Sequence, residues 1–331
     1  MLKQSSIELP QDGPRVGAAQ SARGADARQA RFRQRVLGLA ALTLILVICY
    51  SRPLSHLAVF ALQSELYDYN LLIPFVSLYL IWLKRNSLPL EVRPSWRWAA
   101  LPLIVSLGML GGYWLAVHNG WHPNRQNYLC LMIFSFLLSL LGAELALLGP
   151  RILKPVLFPV TFLILMVPFP EFLHRWIEKC LQLSSANVAS GLFALTGMPV
   201  FREDTSFKLP GVTLDVAPEC SGMHSSVVLF FTSLIASYLF LRTPWKRAVL
   251  TLFVLPLAIV RNGFRVFFIA QLCIRISPDM INSAIHKRGG PVFFVLSLIP
   301  FIWLLLRLRK GETARRAAPV SKRGFQPKRS S

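Results

Sequence analysis

The chain has 331 residues, of which 54% are hydrophobic and only 15% charged, with a mean hydropathy of +0.50. A soluble domain of this length carries more charge, so the composition points to a polytopic membrane protein whose first partner is the lipid bilayer. The net charge of +21 does not make it a nucleic-acid binder, because most Lys and Arg residues lie in terminal segments and short loops flanking apolar runs.

Residues 1–34 are polar, rich in Ala, Arg and Gln, and show no signal peptide; they are expected to form a disordered cytoplasmic tail. Eight apolar segments follow, at roughly 36–55, 66–83, 98–117, 127–148, 152–169, 224–242, 247–273 and 290–308. The second and fifth are short enough to be tilted or partly re-entrant. The expected fold is therefore an all-α polytopic membrane protein of about eight transmembrane helices. Its membrane domain covers 35–309 and a basic disordered tail covers 310–331. With the N-terminus in the cytoplasm, twenty-five of the thirty-six Lys and Arg fall on the cytoplasmic side and nine on the other, while Arg261 and Arg265 lie inside a span. An even number of spans returns the C-terminus to the cytoplasm and leaves the loop of about 170–223 outside.

That outer loop has internal structure. Pro168 and Pro170 end the fifth segment. From Glu171 to Thr196, Phe172, Trp176, Ile177, Cys180, Leu181, Val188, Leu192 and Leu195 share a broad face, which predicts an amphipathic helix at the outer interface, or alternatively a ninth span. Pro199–Arg202, Ser206–Leu209 and Val212–Val216 are short β-type stretches joined by Glu-Asp and Pro-Gly turns, and predict a small β-hairpin that feeds into Cys220.

The five cysteines show no CxxC pair, which excludes a zinc ribbon or a thioredoxin-like motif. Cys49, Cys130 and Cys273 sit in apolar runs and read as small hydrophobes. Cys220 differs: it stands in Ala217-Pro218-Glu219-Cys220-Ser221-Gly222-Met223-His224, where polar sequence meets the sixth apolar segment. Pro218 suits a first helical turn, and a thiol there is favoured as the thiolate. Arg265 lies in the outer half of the next segment, where burying a cation implies a polar cavity or partner. Arg261 is one turn earlier with Asn262 beside it, placed to snorkel or pair. His286 precedes the last segment on the same outer side, and His224, one turn below the thiol, is an alternative base.

These residues resemble the exosortase/archaeosortase family of membrane-embedded cysteine transpeptidases. The likeness rests on Ala217-Pro218-Glu219-Cys220-Ser221-Gly222, on Asn262-Gly263-Phe264-Arg265-Val266, and on His286 followed by Gly289 and Gly290, within a region of roughly 40–308. It implies Cys220 as nucleophile, Arg265 as catalytic cation and His286 as acid/base. Ser221, Gly222, His224, Arg261 and Asn262 are expected as supporting residues around them, and no cofactor or metal is expected. The implied substrates are membrane-anchored exported proteins with a C-terminal sorting signal: a short Pro-Glu-Pro-like motif, a transmembrane helix and a basic cluster. They would be cleaved at the outer face of a bacterial inner membrane and passed to an acceptor. Two departures bear on the subfamily: His224 stands where family members commonly have Arg, and Tyr67-Asp68-Tyr69-Asn70 where a Tyr-Ser-His-Gly-like stretch is common. Outside the family, the sequence leaves two alternatives. One is a non-catalytic exopolysaccharide-export or transport subunit. The other is a zinc protease using Cys220, His224 and His286, although no HExxH motif is present.

Overall fold

The computed structural model describes residues 13–64, 66–89, 91–209, 212–215, 222–276 and 290–317. The chain forms two compact units, residues 1–171 and 172–331.

The first unit is helical throughout. Helix α1 (Gly13–Cys49) begins well before the expected tail ends, because Ala, Arg and Gln are strong helix formers. A break at Tyr50 separates it from α2 (Ser51–Gln63), so the first apolar segment is two helices rather than one. The second segment opens as a 3-10 turn, Asp68–Leu71, and continues as α3 (Ile73–Lys84). Twelve residues rise only about 18 Å against an apolar bilayer core of about 30 Å. α4 (Trp96–His118) and α5 (Arg125–Leu147) are full-length and run antiparallel. Ser95 N–H donates to the Leu145 carbonyl, and at mid-depth Ser106 Oγ bonds Ser135 Oγ at 2.8 Å and Ser139 Oγ at 2.8 Å. Tyr50 OH adds a bond to Ser135 Oγ at 2.9 Å, which ties the α1–α2 break to α5. Small residues and shared hydroxyls are what hold helices together where lipid removes the hydrophobic driving force between them.

The fifth segment is also broken. α6 (Pro150–Phe162) contains Pro155 and Pro159 and tightens into a 3-10 turn, Leu163–Met166. There the Leu163 N–H turns to Val160 and Thr161, and the Pro159 carbonyl is taken instead by Ser77 Oγ of α3 at 2.8 Å. Helix-breaking prolines are tolerated in a membrane when a neighbouring hydroxyl satisfies the freed carbonyl in this way.

The second unit contains α7 (Glu171–Leu195, shared at its first residue with unit one), a small sheet and three long helices, α8 (Met223–Phe240), α9 (Pro244–Arg275) and α10 (Gly290–Ala317). The sheet is β1 (Phe201–Glu203), β2 (Ser206–Leu209) and β3 (Val212–Asp215), all antiparallel in the order β1-β2-β3. The expected hairpin is therefore a three-stranded meander, since the first β-type stretch pairs as well: Arg202 lies opposite Phe207, which lies opposite Leu214. Alternation sends Phe207 and Leu209 inward and leaves Lys208 exposed. Phe207 meets Phe193 edge-on with centroids 5.2 Å apart, and the cluster closes with Leu214, Ala186, Ala189, Val266, Ile269, Ala270 and Cys273. The sheet thus caps the last turns of α7 and α9. Cys273 is a packed core residue, as its apolar setting suggests.

α7 spans the expected residues, and its inward face is made mostly of small and polar side chains. Ser185, Ala186 and Ala189 are buried, with Gln182 and Phe193, whereas Phe172, Trp176, Cys180 and Leu195 are exposed. In a membrane setting large apolar side chains face lipid and small ones face neighbouring helices, so the apolar stripe read from sequence is the outward stripe. α8 and α9 form an antiparallel pair. Arg247 Nε donates to the Leu241 carbonyl at one end, and Arg261 reaches Gly222 at the other. α10 joins them with Phe293 against Phe264 and Phe268, and Glu312 accepts the N–H groups of Arg242 and Thr243 at the α8–α9 turn.

Among the described residues six helices are long and apolar enough to cross a membrane, and seven if the broken pair Pro150–Met166 and Glu171–Leu195 counts as one span. The all-α polytopic architecture holds. The difference from eight arises at the second and fifth segments, both interrupted by turns.

Candidate active site

The described part of the site lies where the start of α8, the middle of α9 and α7 meet. Gly222 is the N-cap of α8 in a left-handed conformation, φ +71°. Regular helix begins at Met223, so the first turn of α8 is 223–226; the expected placement of Cys220 in a first helical turn lies outside the described residues. A Cβ on Gly222 would lie 2.8 Å from Asn262 Oδ1 and 2.9 Å from Asn262 Cγ. Only glycine suits this residue, both for its backbone and for its space.

The Gly222 carbonyl collects several donors. Ser226 N–H closes the first helical bond at 3.0 Å, and the hydroxyls of Ser225 and Ser226 donate at 3.1 and 2.7 Å. Arg261 Nη2 then approaches from α9, at 2.7 Å from Ser225 Oγ, 3.2 Å from Ser226 Oγ and 3.4 Å from the Gly222 oxygen. Arg261 is 7% exposed, and its Nη1 is buried without a hydrogen-bond partner. It does not snorkel; its guanidinium turns inward to α8.

Asn262, 2% exposed, donates from Nδ2 to Ser185 Oγ of α7 at 3.1 Å. The next residue makes that approach possible: a Cβ on Gly263 would come within 2.6 Å of Val188 side-chain atoms and 2.9 Å of the Ser185 carbonyl. The run Arg261-Asn262-Gly263 therefore fastens α9 to α8 and to α7 at one level.

Arg265 is one turn further along α9, half-buried, and the neighbouring Val266 already belongs to the core beneath the sheet. His224 is half-buried in the first turn of α8. Cys220, Ser221 and His286 lie outside the described residues. The structure thus brings together Gly222, Arg261 and Asn262, with Ser185, Ser225 and Ser226, which sequence reasoning did not single out. The two serines adjoin His224, and their spacing from Gly222 carries a helix-start signal. Ser185 carries none, since it lies in a helix whose apolar face draws attention elsewhere.

Compared with known proteins, residues 61–303, well over half of the chain, match a family model described as transmembrane exosortase. No curated protein and no solved structure matches.

Proposed function

The chain belongs to the transmembrane exosortase family, and on that basis we propose that it is a cysteine transpeptidase that cleaves C-terminal sorting signals of exported, membrane-anchored proteins. The observation that carries this reading is the extent of the family match, which takes in Cys220, Arg265 and His286 together. Two structural features support it. Gly222, two residues after Cys220, is held in a buried polar junction between α8 and α9. Helix α10 begins at Gly290, four residues after His286, and its Phe293 packs against Phe264, which adjoins Arg265 in sequence, and against Phe268 one turn on.

In the proposed reaction His286 takes the Cys220 proton and the sulfur adds to the acyl carbon of the scissile peptide. The carbonyl π pair moves onto oxygen, where Arg265 stabilises the negative charge. Collapse restores the carbonyl and breaks the C–N bond. The amine of the released signal leaves with the proton from His286, and the acyl group stays on sulfur as a thioester. An acceptor nucleophile then gives its proton to His286 and adds to the thioester carbon, and the C–S bond breaks to free the thiolate. The site is assigned to the outer face of a bacterial inner membrane with both termini cytoplasmic, on the strength of the Lys and Arg asymmetry.

Inhibition distinguishes this chemistry from metal-assisted hydrolysis. Thiol alkylation should abolish cleavage in the wild type, and strong chelators should leave it intact. Loss of cleavage on chelation with rescue by zinc would refute the thiol mechanism.

A further inference from the structure

We infer that Arg52, His56, Tyr113 and Tyr128 form a binding site for the phosphodiester group of a glycerophospholipid, on the lipid-facing side of the first unit. The site stands apart from the transpeptidase reading and uses none of its residues.

The four residues come from three helices and gather around one ring. Arg52 and His56 are one turn apart on α2 and share a face. The His56 ring centroid lies 6.2 Å from that of Tyr128 on α5, and the Tyr113 ring of α4 lies 5.7 Å from the same tyrosine. The Arg52 guanidinium is within electrostatic reach of Tyr128. Packing does not close the cluster off: Arg52 and His56 are exposed, and Tyr113 and Tyr128 are half-buried.

The depth of the cluster selects the ligand. Tyr128 is one turn from the start of α5 at Arg125, and Tyr113 is five residues from the end of α4 at His118. The helices run antiparallel, so both tyrosines lie about 4–8 Å inside the same end of two full-length spans. A guanidinium that faces lipid at that level calls for a counter-ion, and the anion present there is the phosphate of the headgroups. Tyrosines alone would be ordinary interfacial anchors, but a belt does not account for a cation and an imidazole against the same ring. Among the described residues, none of the four side chains has a hydrogen-bond or ion-pair partner; the Ser55 hydroxyl takes only the main-chain carbonyl of Arg52. The guanidinium, the imidazole and two phenolic hydroxyls can all donate, and a phosphodiester offers several acceptor oxygens with one negative charge. A turn deeper on α4, on the face of Tyr113, Met109 and Leu110 are half-buried apolar side chains along which an acyl chain can lie.

The test uses the full-length protein in detergent and a phosphatidylglycerol carrying a diazirine at the head of one acyl chain. Adducts are mapped by mass spectrometry, and the lipid concentration that half-saturates labelling of α2 and α4 is read for wild type, Arg52→Gln, Tyr128→Phe and Arg85→Gln. Arg52→Gln should raise that concentration about tenfold or more, because a charge-assisted bond to phosphate is lost. Tyr128→Phe keeps the ring and removes one hydroxyl, so it should raise it about threefold, and it decides the matter if Arg52→Gln does not fold. Arg85→Gln removes an exposed cation that lies over Trp82 instead, and should label like the wild type. Unlabelled phosphatidylglycerol should compete, whereas diacylglycerol with the same chains and millimolar inorganic phosphate should not. Wild-type values in both Arg52→Gln and Tyr128→Phe would overturn the inference, as would an equal loss in Arg85→Gln. Competition by diacylglycerol would reduce the site to an apolar groove, and competition by inorganic phosphate would make it a site for a free anion; either result overturns the lipid assignment.

Discussion

At the scale of the residue, the site is organised by contacts too tight to accept change. Gly222 combines a positive φ with a methyl-sized gap already filled by Asn262. Gly222→Ala should therefore cost about 1–2 kcal/mol from backbone strain, lower the thermal midpoint of the detergent-solubilised protein, and reduce cleavage by more than the loss of folded protein explains. A variant with wild-type cleavage would show that the turn is not critical. Arg265 belongs to the same scale. If it is the cation implied by the family resemblance, Arg265→Lys should lose most activity, because an ammonium cannot reproduce the planar fork of donors. Normal turnover in that variant would remove Arg265 from the mechanism.

At the scale of the element, the informative contact is that of α7 with α9. Gly263 lets the helices approach so closely that a Cβ would overlap Val188 and the Ser185 carbonyl. Gly263→Leu should overpack this contact by about 1–3 kcal/mol and break the bond between Asn262 and Ser185. Gly191→Ala on the same α7, where a Cβ meets nothing within 4 Å, should be neutral or stabilising by up to about 1 kcal/mol. Thermal unfolding of the pair measures both; equal destabilisation would contradict the packing. This is also where sequence ceased to be a guide. Long helices such as α4, α5 and α9 are legible because twenty or more apolar residues leave little choice in a bilayer. The strands are legible from alternation and turn residues, although not that three of them would pair. The inward face of α7 was not legible, because hydrophobicity marks the outward face when the solvent is lipid. Arg261 and Arg265 stand out in the sequence as two cations in one apolar run, but nothing there shows that Arg261 is bonded to the start of α8. That bond depends on Ser225 and Ser226, whose hydroxyls matter only once α8 and α9 are paired.

At the scale of the whole molecule, the proposed chemistry requires a particular sidedness. The proposed sidedness, with both termini cytoplasmic and residues 170–223 and 274–289 outside, rests on twenty-five cationic residues against nine when all eight apolar segments are counted as crossings. Membrane-impermeant thiol labelling of single cysteines introduced at Lys208 and Lys322 should modify the first in intact cells and the second only after lysis. Both sites reacting alike would separate Cys220 from its intended side. The central claim remains that Cys220 carries the acyl group. The most direct measurement is mass spectrometry of a co-expressed protein bearing a C-terminal motif, transmembrane helix and basic cluster, in cells with the wild-type chain or with Cys220→Ala. The account predicts a product truncated at the motif with the wild type and only full-length protein with Cys220→Ala. The same truncated product in both would contradict it.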